Sequence, residues 1–242
     1  MFNKRGAVLA MALLWEKIYS TLMVDQGYKL ILNGLSKTLF IAVLATIIGV
    51  LLGFVIAITK FYGKKNIVLK ILNGVFNCYL AVIRGTPVLI QLLIMYNIIF
   101  VSVTSKQAVL FVAVLAFGIN SSAYVAEIIR SGITSIDVGQ HEAGIALGLG
   151  ELKTMVLIII PQAIRNILPA LFNEFIQLVK ETSVAGYIGV EDLTRVSDII
   201  KSQTYEPVGP LVIIAVIYFI IVVGLTGLLR YFERKLKKDD SC

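Results

Sequence analysis

The sequence predicts an all-helical membrane protein with five transmembrane helices, and three observations predict it. Of 242 residues, 58% are hydrophobic and only 15% charged, whereas soluble domains run about 45–50% apolar and about 25% charged. The apolar residues gather in runs long enough for the roughly 20-residue helix that crosses a bilayer. The cations stand beside those runs, not in a patch interleaved with aromatics, so the net charge of +7 points to membrane lipid and away from nucleic acid.

Residues 1–27 read as an extracytoplasmic or interfacial segment. Lys4 and Arg5 precede an apolar run from Gly6 to Trp15 that is too short to span, and Glu16 and Lys17 follow without a small-x-small cleavage site. An interfacial amphipathic helix suits that pattern better than a cleaved signal. The first span covers Leu30 to Phe61, long enough to tilt or to extend beyond the hydrocarbon. Gly49 and Gly53 form a GxxxG pair suited to close helix packing. The loop with Lys60, Lys64, Lys65 and Lys70 is cytoplasmic by its charge.

The second span runs from Ile67 to Val103 with Arg84-Gly85-Thr86-Pro87 in its middle. Proline removes a backbone donor, so a kink or break is expected there. Asn73, Asn77, Arg84 and Gln91 recur on roughly one face. A turn at Thr104 to Gln107 leads to the third span, Ala108 to Ile129, on which Asn120, Ser121, Tyr124 and Glu127 are polar. The fourth span covers Thr154 to Val179, and Asn173, Gln177 and Lys180 or Glu181 continue a stripe at its far end. A polar outer segment, Gly186 to Pro210, precedes the fifth span at Leu211 to Leu229 and a basic tail. Five spans with the N-terminus outside put the C-terminus inside, which the cations of the inner loops and tail modestly favour.

Between spans three and four lies a polar interruption, Asp137 to Pro161. Asp137 and Gln140 have capping-box spacing, so a helix is expected to start here. Each interior glycine costs roughly 1 kcal/mol against alanine, so Gly144, Gly148 and Gly150 need a reason. Gly144 and Gly148, one turn apart, would leave a bare strip for another protein's backbone, a docking surface at the cytoplasmic face.

Catalysis is poorly supported. His141 is the single histidine and reads as a polar residue near a helix start, Cys78 and Cys242 read as lone thiols, and no GxxxxGK[ST] loop is present. No cofactor is expected in this chain. The polar residues at membrane depth are costly and suggest a pathway or binding site. Glu127 and Glu181 could pair with an ammonium group, and Arg84 and Lys180 with a carboxylate. Charge pairing among these four is the competing explanation.

The stretch EAGIALGLGELKTMVLIIIP resembles the EAA motif of ABC importer permeases, matching it at Glu142, Ala143, Gly148, Ile158 and Pro161, with Gly144 in place of the second alanine and Ile160 in place of leucine. RGTPVLIQ at 84–91, NSSAYVAEIIRSGI at 120–133, PQAIRNILPAL at 161–171 and KETSV at 180–184 resemble the polar amino acid permeases of the histidine, glutamine, arginine and opine group. The resemblance covers residues 28–236, leaving 237–242 as a cytoplasmic tail. It implies a type I ABC importer transmembrane domain of the MetI-like class in a prokaryotic plasma membrane. Residues 137–150 would be its coupling helix, with Glu142, Ala143, Gly144 and Gly148 meeting a cytoplasmic ABC ATPase dimer that binds ATP and Mg. Other implied partners are a second permease subunit, identical or homologous, and an extracytoplasmic substrate-binding protein. The substrate, an amino acid, would meet Arg84, Asn120, Ser121, Tyr124, Glu127, Lys180 and Glu181. A permease for another small solute such as methionine or an opine, or a stand-alone carrier or channel, are the alternatives.

Overall fold

The computed structural model describes residues 15–19, 21–23, 26–62 and 67–238, and the described elements are helical throughout. Helix α1 spans Gly27–Tyr62, α2 spans Ile67–Gly85, and α3 spans Val88–Ile94 before widening into a π turn at Met95–Ile99. Helix α4 spans Lys106–Thr134 and the short α5 spans Val138–Ala146. Helix α6 begins at Gly150–Thr154, passes a π turn at Met155–Ile159, continues through Ile160–Glu181 and tightens into a 3-10 turn at Thr182–Ile188. Helix α7 spans Leu193–Thr204 and α8 spans Val208–Lys238. Five of these, α1, α2, α4, α6 and α8, are long and apolar enough to cross a membrane.

The hub is α4. Its most apolar stretch is 67% buried, against 6% for α2 and for α8, which therefore present their surfaces to lipid or to another chain. Helices α1 and α4 run parallel. Lys37 and Lys106 meet at one end through Glu191, and Gly49 and Gly53 lie against Ser121 and Val125 farther along. A Cβ on Gly53 would stand 2.7 Å from the Val125 side chain, so the GxxxG pair packs α1 onto α4 within the chain. The main apolar cluster, with Ile41, Leu92, Val112, Phe117 and Leu178, ties α1, α3, α4 and α6 together.

The break expected at the proline is present: the second span divides at Thr86-Pro87, its helical part ends at Ile99 and not Val103, and Gln91 Nε2 donates to the carbonyls of Ile83 (2.8 Å) and Thr86 (3.0 Å) across the break. The proline lacks the N–H that would continue the helix, and the glutamine side chain serves the carbonyls it frees. The polar segment from Gly186 to Pro210 holds α7. Asp192 caps that helix by accepting the N–H groups of Thr194 (2.9 Å) and Arg195 (3.2 Å). Leu193, Val196 and Ile200, spaced along one face, bury against α1 and α8. The π turn in α6 lies just before Pro161, which has no N–H to offer the preceding turn. Residues 1–14, Lys64, Lys65 and Cys242 lie outside the described residues, and with them most of the expected N-terminal segment.

Candidate functional site

The first candidate is α5, the short helix at one end of the bundle. Asp137 begins it by accepting the Gly139 N–H on Oδ1 at 2.6 Å, while the Gln140 side chain accepts from Gln162 Nε2 at 3.5 Å and does not return to the cap. Glu142 and Ala143 are exposed, as are Val138, Ile145 and Leu147. The bare strip expected of the glycines is not there. Gly144 is buried under α6: a Cβ added to it would lie 2.4 Å from Thr154 Cγ2. Helix α5 ends at Ala146, so Gly148 and Gly150 lie beyond it, with φ of 78° and 69°. They turn the chain into α6 through left-handed conformations that cost other residues roughly 1–2 kcal/mol. Gly144 holds α5 against its own chain, Gly148 and Gly150 turn the chain beyond it, and the outward surface is Glu142 and Ala143 among apolar side chains.

The second candidate is the set of polar groups at membrane depth, which falls on two sides of α4. Toward α2 and α3, Asn120 Nδ2 donates to Gln91 Oε1 at 2.9 Å. Tyr79 Oη donates to the Ile119 carbonyl and contacts Ser122 Oγ, both at 2.7 Å. Arg84 lies over the Tyr124 ring at 5.8 Å and within 3.9 Å of Glu127. Glu127 is already held by Arg130, whose Nε donates to Oε2 at 3.1 Å while Nη2 bonds Oε1. Glu127 thus pairs with both Arg84 and Arg130. Between these helices lies a cavity of about 240 Å³ lined by Val82, Thr86, Ile90, Gln91, Ala116 and Ile119 among others.

Toward α6, Ser121 Oγ donates to Glu174 Oε1 at 2.9 Å. Three and four residues on, Gln177 Nε2 donates to Glu181 Oε1 at 3.2 Å. Asn173, Gln177 and Lys180 are exposed on this helix. Arg84, Asn120, Tyr124 and Glu127 therefore gather on one side of α4, and Ser121 joins Glu174 and Glu181 on the other. Sequence reading missed Glu174, although its spacing of three and seven to Gln177 and Glu181 marks one helical face.

At the opposite end from α5, Glu191 accepts from Lys37 (2.9 Å) and Lys106 (2.8 Å). Hydrogen bonds from Lys106 and Lys37 hold its carboxyl down at about 2. Burial pushes the neighbouring cap, Asp192, up to about 6, against the N–H donors of Thr194 and Arg195. The Leu193 N–H donates to Thr38 Oγ1 at 3.1 Å, so this rim binds α1, α4 and α7 together.

A helical membrane unit with polar groups on a spanning helix and a short helix exposed at one face has the parts a transport component needs. The chain belongs to the family described as binding-protein-dependent transport system inner membrane components, whose profile matches residues 49–238. It is thus a multi-pass inner membrane permease component. It is similar to the arginine transport system permease protein ArtQ of Bacillus subtilis (strain 168), with 40% identity over 210 residues, 87% of this chain and 94% of that protein. The glutamine transport system permease protein GlnP of Escherichia coli (strain K12) is 35% identical over 209 residues, 86% of this chain and 93% of that protein. A crystal structure of an amino acid ABC transporter with histidines matches with a TM-score of 0.81 at 46% identity, covering 88% of this chain and 97% of that one. The methionine ABC transporter MetNI, inward facing, shares the fold at a TM-score of 0.70 and 17% identity, over 89% of this chain and 97% of that one.

Proposed function

We propose that the chain is the permease subunit of an ATP-driven importer of amino acids, polar or basic ones, and that it opens to one side and then the other as a separate ATPase cycles. The observation that carries this reading is the exposed row Asn173, Gln177 and Lys180 on a spanning helix, with Glu174 and Glu181 beside it. Such groups are costly against hydrocarbon and face a bundle interior or a water-filled path. In a single chain the row is open, so a second permease subunit completes the path, with α6 from each lining it. Ser121, Glu174, Gln177, Lys180 and Glu181 offer a carboxylate for an ammonium group and an ammonium for a carboxylate. Asn120, Tyr124, Arg84 and Glu127 latch α2 and α3 to the hub instead.

The α5 surface, with Glu142 and Ala143 beside Ile145 and Leu147, is the seat for the ATPase dimer. ATP and Mg belong to that partner, and an extracytoplasmic binding protein delivers substrate at the other face. Gly144 on Thr154 makes α5 move with α6, and α6 is bonded to α4. The side free to swing is α2 and α3, held by side-chain latches. The test is uptake of labelled arginine, glutamine and histidine by the reconstituted complex with its ATPase and binding protein. Gln177→Leu should abolish uptake while assembly persists, and uptake unchanged in that variant would contradict the path along α6.

A further inference from the structure

Ahead of α1 lies a helical stretch, residues 15–19 and 21–23, that the transport path does not use. Its two sides differ in chemistry. Thr21 is fully buried, Leu22 packs with the cluster of Ile31, Val196 and Ile214, and Lys17 Nζ lies 3.1 Å from the Glu206 carboxylate. Gly209, in the first turn of α8, makes the seat: an added Cβ would stand 2.6 Å from both the Lys17 carbonyl oxygen and Thr21 Oγ1. The opposite side is Trp15, Tyr19 and Met23, which are 69%, 59% and 56% exposed. Steps of four keep them on one helical face.

The place of this stretch says what covers that face. Spanning helices α1 and α8 both begin beside it, at Gly27 and Val208, so it sits at the boundary between hydrocarbon and water, at the end of the molecule away from α5. Tryptophan and tyrosine settle at that depth, where an apolar ring and a polar edge both find their medium. Charged Glu16 and Lys17 next to the aromatic face complete the make-up of a helix lying in the interface. We propose that residues 15–19 and 21–23 form an interfacial brace. Trp15, Tyr19 and Met23 lie in the headgroup layer, and Lys17 and Thr21 hold the turn that joins α7 to α8.

Trp15 is the chain's only tryptophan, which gives the test its probe. The assembled transporter is placed in nanodiscs of phosphatidylcholine and phosphatidylglycerol, and the emission of a Trp15→Phe complex is subtracted to leave Trp15 alone. Lipids brominated near the glycerol should quench about half of that emission, lipids brominated near the chain ends far less, and aqueous iodide little. Gly209→Val, which fills the seat, should raise iodide quenching about twofold as the face lifts off. Strong iodide quenching without bromolipid quenching in the unsubstituted complex would place Trp15 in water and overturn the proposal. Quenching by neither would mean that a protein surface, a second copy or the binding protein, covers the face, and would overturn it as well. So would a mature chain whose mass lacks Trp15, or a Gly209→Val pattern identical to that of the unsubstituted complex.

Discussion

The two sides of α4 are built differently. Toward α1 and α6 it is pinned at three points by near-backbone approach, Gly53 against Val125, Gly49 against Ser121, and Gly132 against Ile167, where a Cβ would come within 2.3 Å, beside a wholly apolar cavity of about 360 Å³ lined by Val50, Ile129 and Ile167 among others. Toward α2 and α3 the apolar contacts of Leu80 and Leu92 are joined by the ends of long polar side chains, Tyr79, Arg84 and Gln91, around a cavity of about 240 Å³. A close-packed face resists sliding, because interiors packed like crystals have few alternative arrangements. A face bridged by hydrogen bonds can exchange those partners for water at a net cost of about 1 kcal/mol each. Under the proposed function, the difference separates a frame, formed by α1, α4, α5 and α6, from a gate formed by α2 and α3.

The largest effect should come from filling the frame. Gly53→Leu puts a side chain where even a Cβ is too close, and overpacking of this kind costs about 1–3 kcal/mol or more. Thermal unfolding in detergent, followed by size-exclusion chromatography, should show loss of the monodisperse protein. A melting temperature matching that of the unsubstituted chain would mean that the frame yields as easily as the gate.

Next comes the path itself. Glu174→Gln keeps the shape and the contact with Ser121 but removes the acidic group. Hydrogen bonds to charged groups are worth about 1.5–3 kcal/mol, so amino acid uptake should fall about tenfold or more. Unfolding should change little, and equal losses of uptake and stability would mark Glu174 as part of the frame alone. A smaller change is expected at the gate. Tyr79→Phe removes the bonds to Ile119 and Ser122, costs about 1 kcal/mol of stability and alters the rate of substrate-stimulated ATP hydrolysis more than it alters assembly. An unchanged ATPase rate would remove Tyr79 from the gate.

The smallest effect concerns the outer rim, where α1, α4 and α7 meet. Glu191 has a folded value of about 2, below the ordinary carboxylate range. Its contribution is therefore fully present above its ordinary titration range and is lost as pH falls toward 2. Exposure to water and salt keeps that contribution under about 1 kcal/mol. Unfolding curves should show Glu191→Gln destabilised by that amount near neutral pH and equal to the unsubstituted chain at the acid end. Asp192, with a folded value of about 6, has the opposite sign: protonation on acidification through 6 favours the folded rim. A Glu191→Gln difference that persists at the acid end would contradict the pairing with Lys37 and Lys106.

Much of the frame was legible in the residues. Five apolar runs gave five spans, Asp137 marked the start of α5, and Gly49 with Gly53 announced a close contact. What the sequence could not show was which partner each small residue meets. Gly144 packs inward on Thr154, while Gly148 is spent on a left-handed turn, and neither fact has a signature beyond the letter G. The polar residues were legible as costly, but their sorting to the two sides of α4 depends on helix rotation, which a row of apolar neighbours does not specify. Glu174 was hidden because it stands next to Asn173, which drew the stripe one residue aside. Helix α7 was readable in Asp192, Leu193, Val196 and Ile200, yet its polar residues made the whole segment read as polar without a helix.

The division into frame and gate is tested most directly by cross-linking. With Cys78 and Cys242 replaced by serine, one variant carries Gln91→Cys with Asn120→Cys across the gate, and another carries Gly132→Cys with Ile167→Cys inside the frame. Each is treated with a short thiol-specific linker in the reconstituted complex, and ATP-driven amino acid uptake is measured before and after reductive release. The gate link should abolish uptake reversibly, and the frame link should leave it close to the unlinked level. Uptake that survives the gate link, or that the frame link abolishes as fully, would contradict the division.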